Sequence, residues 1–579
     1  MTDVKTLSSL YKGEAHMLAI LSLIPIIVAL CLMTFAKQKA SIALLCSWVV
    51  AVLIAVVVWN MDIAHAMAWT VSGFLQALPI LIIIFGSIFM LNILVEFKYI
   101  KTIGNGFDGI TQDRRIQIII VAWFFGAFIE GAAGFGTPGA IAAPLMVALG
   151  IPVFLAALAS LIANATPVLF GAAGTPPTAG FASIATTVDY LYESGIIAAY
   201  SGAVAHQMHY RVTLLNILPG SLVPFLIIAS VVARDGRGEG IKNAVKIFPL
   251  CLLAGFAFTI PQWAASFLGP NIPSLVGGLV GMIIFLIAVK NGFLVPKDVY
   301  RFQNDPIKEE LQIKEEPQKK DTDLSLLNAW SPYILIVAML VLTRLPWLNM
   351  APILNPAGAA NAHVSILGIF GFSGINWTFN PLWNPGVFPF IPVTILFICI
   401  NLYKKRTTGK VVKNLATTTV KQLKHAALAL FFGVALVQIM LQTNFTDPGA
   451  NASMTAVLAV ALGDLFGGAY LVIAPIIGIL GAFVSGSHTV SNVMFMGLQL
   501  DTALSLDLPI VMILAAQMSG GAIGNMTAIN NVVAVVATTG YKGNESKLFG
   551  AAAIPMFIYS LFVSILLYVF LAIGMIWIA

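Results

Sequence analysis

Charge is what this chain has least of. Only 9% of its 579 residues are Asp, Glu, Lys or Arg, while 59% are hydrophobic. Soluble domains carry roughly 25% charged residues, so an ordinary water-exposed surface is excluded. Dominant alternating segments of about 10 residues are also lacking, which argues against a transmembrane β-barrel. The four cysteines, Cys31, Cys46, Cys251 and Cys399, lie in apolar runs without ligand-like spacing. They read as buried packing residues rather than disulfides or a metal site. No cofactor is expected. The net charge of +6 fits basic cytoplasmic loops rather than affinity for nucleic acid.

What is present is a series of long apolar runs. They fall near 17–36, 40–59, 70–95, 151–168, 213–233, 244–268, 272–290, 330–348, 386–403, 425–444, 508–530 and 549–578. That predicts an all-α polytopic membrane protein with about twelve spans. No convincing small-residue cleavage site follows the first run, so it reads as a retained helix. Basic residues collect in alternate loops: Lys37 and Lys39; Lys98, Lys101, Arg114 and Arg115; Arg234, Arg237, Lys242 and Lys246; and Lys404 through Lys424. The intervening 60–65 and 189–193 carry none. All the basic loops face the cytoplasm if the N-terminus lies outside. The expected organisation is a first half over 1–290 (core about 40–233), a charged cytoplasmic linker over 291–328 and a second half over 329–579 (core about 386–579). Residues 349–384 read as an external loop at the interface.

Two further segments, near 116–149 and 471–505, break the pattern. The first carries Glu130 inside an apolar run, then Gly131, Gly134, Gly136 and Pro138. Gly costs a helix roughly 1 kcal/mol and Pro about 3, and a carboxylate at membrane depth costs a few more. Two half-helices meeting at a Gly-rich turn, shielded from lipid, satisfy this sequence. Gly126–Gly131 (GAFIEG) matches Gly481–Gly486 (GAFVSG), 355 residues apart (481 less 126). Carried outward, that offset sets loops without Lys or Arg in one half against basic loops of the other. Loops that swap sides predict inverted-topology repeats with two broken or re-entrant hairpins, as in secondary transporters.

EGAAGFGTP with GAF before it, ANATPVLFGAAGTPP after it, and GAFVSGSHTVSNVMF at 481–495 resemble the signatures of the bacterial L-lactate permease family, over most of the chain. The resemblance implies a multi-pass protein of the bacterial inner membrane that carries L-lactate and related 2-hydroxy monocarboxylates (D-lactate, glycolate) with protons. It further implies a scaffold paired with a transport domain in elevator-like motion. Members of that family often have an acid where His488 stands and a lysine near Asn525; this chain departs at both.

The candidate site residues come from both broken segments. The first half offers Gly134, Gly136, Thr137, Asn164 and Thr175; the second offers Ser485, Ser487, His488, Thr489, Ser491, Asn492 and Asn525. Small hydroxyl and amide groups beside glycine leave helix ends and N–H groups open to an anion. Glu130 is the candidate proton carrier, with His488 as a second titratable group or a donor to the substrate carboxylate. The expected partners are a small monocarboxylate, protons and the bilayer; a homo-oligomer is compatible with the sequence. Three other readings stay open here. A sodium-coupled carrier would use Ser487, Thr489 and Asn492 with backbone carbonyls, an intramembrane hydrolase would use Ser485 or Ser487 with His488, and a channel is the third.

Overall fold

A computed structural model describes residues 12–36, 38–106, 110–134, 136–235, 240–302, 324–345, 348–356, 363–444, 452–541 and 545–575. Lys37, Arg237 and the 303–323 portion of the charged linker lie outside the described residues. The first half contains α1 Lys12–Thr34, α2 Ala40–Val57, α3 Ile63–Glu96 and α4 Tyr99–Asn105, then α5 Arg114–Ala133 and α6 Thr137–Ala148. It continues with α7 Val153–Ala163, α8 Gly171–Ala182, α9 Ala185–Glu193, α10 Ser201–Val232, α11 Phe248–Ser266 and α12 Pro273–Lys290. The second half has α13 Leu326–Arg344, α14 Gly386–Tyr403, α15 Gly409–Leu441, α16 Met454–Phe466, α17 Tyr470–Ser485, α18 His488–Ser505, α19 Ile510–Gly524, α20 Ile529–Thr539 and α21 Glu545–Ala572.

Among the described residues, 12 helices are long and apolar enough to cross a membrane. The number agrees with the sequence reading, but the membership differs. The long arms of both broken segments qualify, while Met17–Met33 is shorter and 151–168 is the first limb of a pair bent by 52°. The Lys-rich 409–424 stretch is the front of helix α15 rather than a loop, because Lys, Gln and Leu propagate a helix without a break. In 349–384 the chain makes a small antiparallel pair, β1 Val364–Ile366 with β2 Trp377–Phe379. All four cysteines are free, and Cys31 and Cys399 are exposed rather than buried; on a lipid-facing surface an apolar thiol needs no burial.

The offset of 355 found in the sequence carries helix onto helix. It takes Ile63–Glu96 to 418–451, within reach of α15; Arg114–Ala133 to 469–488, over α17; and Thr137–Ala148 to 492–503, inside α18. The two equivalent helices α3 and α15 pack directly on each other, and they do so antiparallel. Gly73 meets Ala435 near one end, with only 2.6 Å between an added Cβ and the Ala435 Cα. Asn92 Nδ2 donates to Thr419 Oγ1 and Gln422 Oε1, each at 2.9 Å, toward the other. Repeat-related helices that run in opposite directions through one membrane are inverted repeats. Contacts across the halves are also reciprocal: α8 packs on α18 as α20 packs on α6, and α10 on α19 as α21 on α7. Reciprocity is the mark of a two-fold relation.

This arrangement wraps most of the broken segments in protein, the arm within Met454–Phe483, at 44% buried, being the exception. The hydrophobic window of α5 is 94% buried and that of Ile510–Thr527 is 100% buried, against 33% for Ala40–Val57. Backbone breaks and polar groups at membrane depth are tolerated only in such surroundings. The base of α5 is fixed by Arg115, which is 1% exposed. Its Nη2 donates to Asp113 Oδ2 at 2.6 Å and its Nε to Oδ1 at 3.1 Å, while Nη1 and Nη2 reach the carbonyls of Asn243 and Asp298, each at 2.9 Å. Tyr300 N closes the same cluster on Asp113 Oδ2 at 3.2 Å. The start of the linker is therefore a strap, not a free loop. Arg115→Gln leaves the buried Asp113 carboxylate with backbone donors but without its cation, so a loss of about 3–5 kcal/mol is expected, read by thermal denaturation of the purified protein.

Candidate functional site

Each half contributes one hairpin tip and one broken span. In the first tip, Gly134 adopts φ 60, ψ −155 and Gly136 φ 77, ψ 2; the former region is essentially reserved for glycine. The α5 arm leading to it is π-helical over Ile119–Phe125, a variation often found beside functional sites. In the second tip, Gly486 turns the chain at φ 70. There Ser485 Oγ donates to Gly481 O at 2.6 Å and Ser487 Oγ accepts from Val490 N at 3.4 Å, capping α18.

The broken spans are stranger. Ala172, Ala173 and Gly174 are all left-handed, at φ 44, 51 and 80. The two alanines cost about 1–3 kcal/mol each in this region, and such conformations persist only where the surroundings over-determine them. Here they do: Thr175 Oγ1 donates to Ala172 O at 2.6 Å and Asn271 Nδ2 to Ala173 O at 2.9 Å. The repeat-related break at Asn525–Ala528 is tied by Asn531 Nδ2, which donates to Asn525 O at 3.1 Å.

All four breaks meet at one cavity of about 400 Å³. Of the sequence candidates, Glu130, Gly134, Gly136, Ser485, Ser487, His488, Thr489 and Asn525 line it. The others stand behind it. Thr175 is spent on Ala172, and Ser491 Oγ donates to Gly478 O at 2.8 Å, bracing the two arms of the second hairpin. Asn164 adjoins Glu130. The Thr137 side chain lies outside the described residues. Lys39 and Ser41, which the sequence did not point to, also line the cavity, as does Asn531 in the polar run that follows Asn525. Only the packing of α2 on α15 brings Lys39 and Ser41 there, and no local motif signals it. Lys39 is exposed, so the cavity reaches the surface beside it.

Helices α6, α18 and α20, and the second limb of α8, all begin at this cavity. All four direct positive dipole ends at one space; α18 and α20 add open N–H groups, whereas Pro138 in α6 and Pro176 and Pro177 in α8 remove donors from the other two. Glu130 is 1% exposed. Its Oε2, and Oδ1 of neighbouring Asn164, are buried without a hydrogen-bond partner among the described residues. The Asn164 side chain lies within hydrogen-bond reach of the Glu130 carboxyl, and each keeps one oxygen open. Gly171 lies so close to Glu130 Oε1 that a Cβ there would collide with it. Its backbone, at φ −62, ψ 157, accepts alanine without strain. Gly171→Ala is therefore expected to displace the Glu130 carboxyl alone, disturbing transport while thermal stability changes by about 1–3 kcal/mol.

His488 Nδ1 lies 3.0 Å from Val168 O, and Nε2 lies 3.0 Å from Asn492 Nδ2, which also donates to Pro176 O at 3.3 Å. A carbonyl can only accept, so Nδ1 carries the proton and Nε2 accepts from the amide, as in a neutral ring. With both nitrogens engaged and Ser485 and Ser487 bonded elsewhere, no serine–histidine pair is formed, which removes the hydrolase reading. These bonds instead tie the second hairpin to the first broken span. Asn492→Ala would remove its hydrogen bonds to His488 Nε2 and Pro176 O, for an expected loss of about 1–3 kcal/mol in thermal denaturation.

A cavity built from broken helices at the meeting of inverted repeats defines a secondary transporter of the membrane. Residues 18–574 match the family model described as L-lactate permease, and the chain belongs to that family. It is 30% identical over 566 residues to the L-lactate permease of Bacillus subtilis, covering 93% of both chains. To the putative L-lactate permease of Haemophilus influenzae it is 29% identical, over 94% of this chain and 96% of the relative. To the glycolate permease GlcA of Escherichia coli it is 28% identical, over 93% and 92%. The YdaH transporter of Alcanivorax borkumensis aligns with 93% of this chain and 99% of its own at a TM-score of 0.47 and 12% identity. The protein is thus a multi-pass transporter of the bacterial plasma membrane and not an enzyme.

Proposed function

We propose that the chain is a symporter that moves L-lactate and related small 2-hydroxy monocarboxylates, D-lactate and glycolate among them, together with protons. The observation that carries this reading is the shared cavity: four helix N-termini beside one buried carboxyl group. The substrate carboxylate would lie against the N–H groups of His488 and Thr489 and the facing break, with Asn525 and Asn531 as amide partners. Glu130 would hold the proton, pointing at Asn164 Oδ1. A protonated Glu130 and a bound anion together carry one negative charge less than their separate ionised forms, which lowers the cost of crossing a low-dielectric region.

The hydrogen bonds from His488 to Val168 and from Asn492 to Pro176 support a single moving body made from both halves. In this reading His488 is a tether and not a second proton carrier. The halves 1–290 and 329–579 then act as the two repeat units, joined by the 291–328 linker. Lys39 belongs to a cytoplasmic loop on the positive-inside rule, so the cavity would be open inward. Sodium coupling is the second reading, supported by the two unpaired oxygens of Glu130 and Asn164, since hard cations take oxygen ligands. Uptake of radiolabelled L-lactate and glycolate into proteoliposomes tests the choice. An inward pH gradient should drive accumulation, about tenfold per unit for one proton per substrate. Accumulation driven by sodium alone would overturn the proton reading.

A further inference from the structure

A second cavity, of about 480 Å³, lies at the other end of the α3–α15 pair, where α14 turns into α15. Glu96, Lys98, Lys405, Arg406, Thr407 and Thr408 line it, three cations against one acid. Its level is marked by Tyr403, 89% exposed at the end of α14, where an aromatic side chain suits the membrane–water interface.

The charges around the start of α15 run against the helix. A 33-residue helix concentrates positive potential at its N-terminus, where acids and capping oxygens are preferred. Here the first turn has no acid, and Thr408 makes no side-chain cap hydrogen bond. Lys405 and Arg406 precede this start, and Lys410 and Lys413 follow it. The positive-inside rule accounts for basic residues on this face, but not for their gathering on a helix N-terminus. Lys98 and Lys405 also follow the C-terminal ends of α3 and α14, where cations are favourable; Arg406 has no such account. The Thr407 hydroxyl oxygen, sealed from solvent, has no partner among the described residues.

We infer that this cavity binds a phosphate-bearing anion between Lys98, Lys405, Arg406 and the open N-terminus of α15. The anion would offset the crowded positive charge, accept from the first N–H groups of the helix and pair with the Thr407 hydroxyl. At headgroup depth on the basic face, a phosphodiester of an acidic lipid has this chemistry, and so does a soluble phosphate.

The test uses the full chain purified in detergent. Native mass spectrometry would count lipids retained after incubation with phosphatidylglycerol or phosphatidylcholine, with and without inorganic phosphate as competitor. The wild type is expected to retain phosphatidylglycerol at least tenfold better than phosphatidylcholine. The K405Q/R406Q variant should lose this preference, while K421Q/K424Q, equal in charge removed but outside the cavity, keeps it. Competition by millimolar inorganic phosphate would assign the site to a free anion, and its failure to compete would assign it to lipid. Equal loss in both double variants, or no lipid preference in the wild type, would overturn the inference. A photoreactive phosphatidylglycerol crosslinked to wild type should label 404–411; labelling elsewhere alone would also overturn it, independently of how the variants fold.

Discussion

Proteoliposomes carrying Glu130→Gln are expected to exchange labelled for unlabelled L-lactate but to fail to accumulate it under an inward pH gradient. Glutamine keeps the size and polarity of the side chain, so the cavity and its helix N-termini remain. It cannot change its charge state, and the coupling is lost. The wild type should reach about tenfold accumulation per unit of pH, the variant none above equilibration. The buried, unpartnered Oε2 beside Asn164 Oδ1 is the physical reason for placing the coupling there. Counterflow in the same vesicles checks the substrate path. Loss of counterflow together with accumulation would mean that Glu130 builds the cavity rather than couples it.

The second large effect is expected at Gly134→Ala. Residue 134 sits at φ 60, ψ −155, a conformation that costs a side-chain-bearing residue about 1–3 kcal/mol. The added Cβ would stand 2.8 Å from the Ala172 Cβ and 2.9 Å from its N, adding roughly 1–3 kcal/mol of overpacking. Ala172 is itself left-handed and cannot readily yield. The hairpin tip and the first break must then separate, opening the wall that Glu130 shares with the cavity. Thermal denaturation should fall by the summed cost, and uptake should be abolished. Uptake near the wild-type rate would show that the tip and break need not touch.

Much of this was legible in the sequence because membrane depth makes polar and glycine-rich residues expensive. Glu130, Gly134, Gly136 and Ser485–Thr489 stood out for that reason, and they line the cavity. The GAFIEG–GAFVSG match set the offset of 355, and the antiparallel packing of α3 on α15 follows from the inversion it predicted. Four features were not legible in the sequence. Lys39 and Ser41 reach the cavity only through the packing of α2. Ser491 and Thr175 are small polar residues of the expected type, yet their hydroxyls are satisfied within their own hairpin or turn. The left-handed run at Ala172 and Ala173 defies propensity and is held by Asn271 and Thr175, one of them nearly a hundred residues away in sequence. Asp113 and Arg115 read as part of a basic loop, since nothing local reveals that Tyr300 closes over them.

In the proposed mechanism the two broken halves form one carboxylate site. Equilibrium binding of L-lactate to the wild type, Glu130→Gln, Asn525→Ala and the double variant tests it most directly. Groups that touch one ligand from two repeats should couple by more than about 0.5 kcal/mol, so the double variant should not bind as the sum of the single changes. Strict additivity, or unchanged affinity in Asn525→Ala, would contradict a shared site.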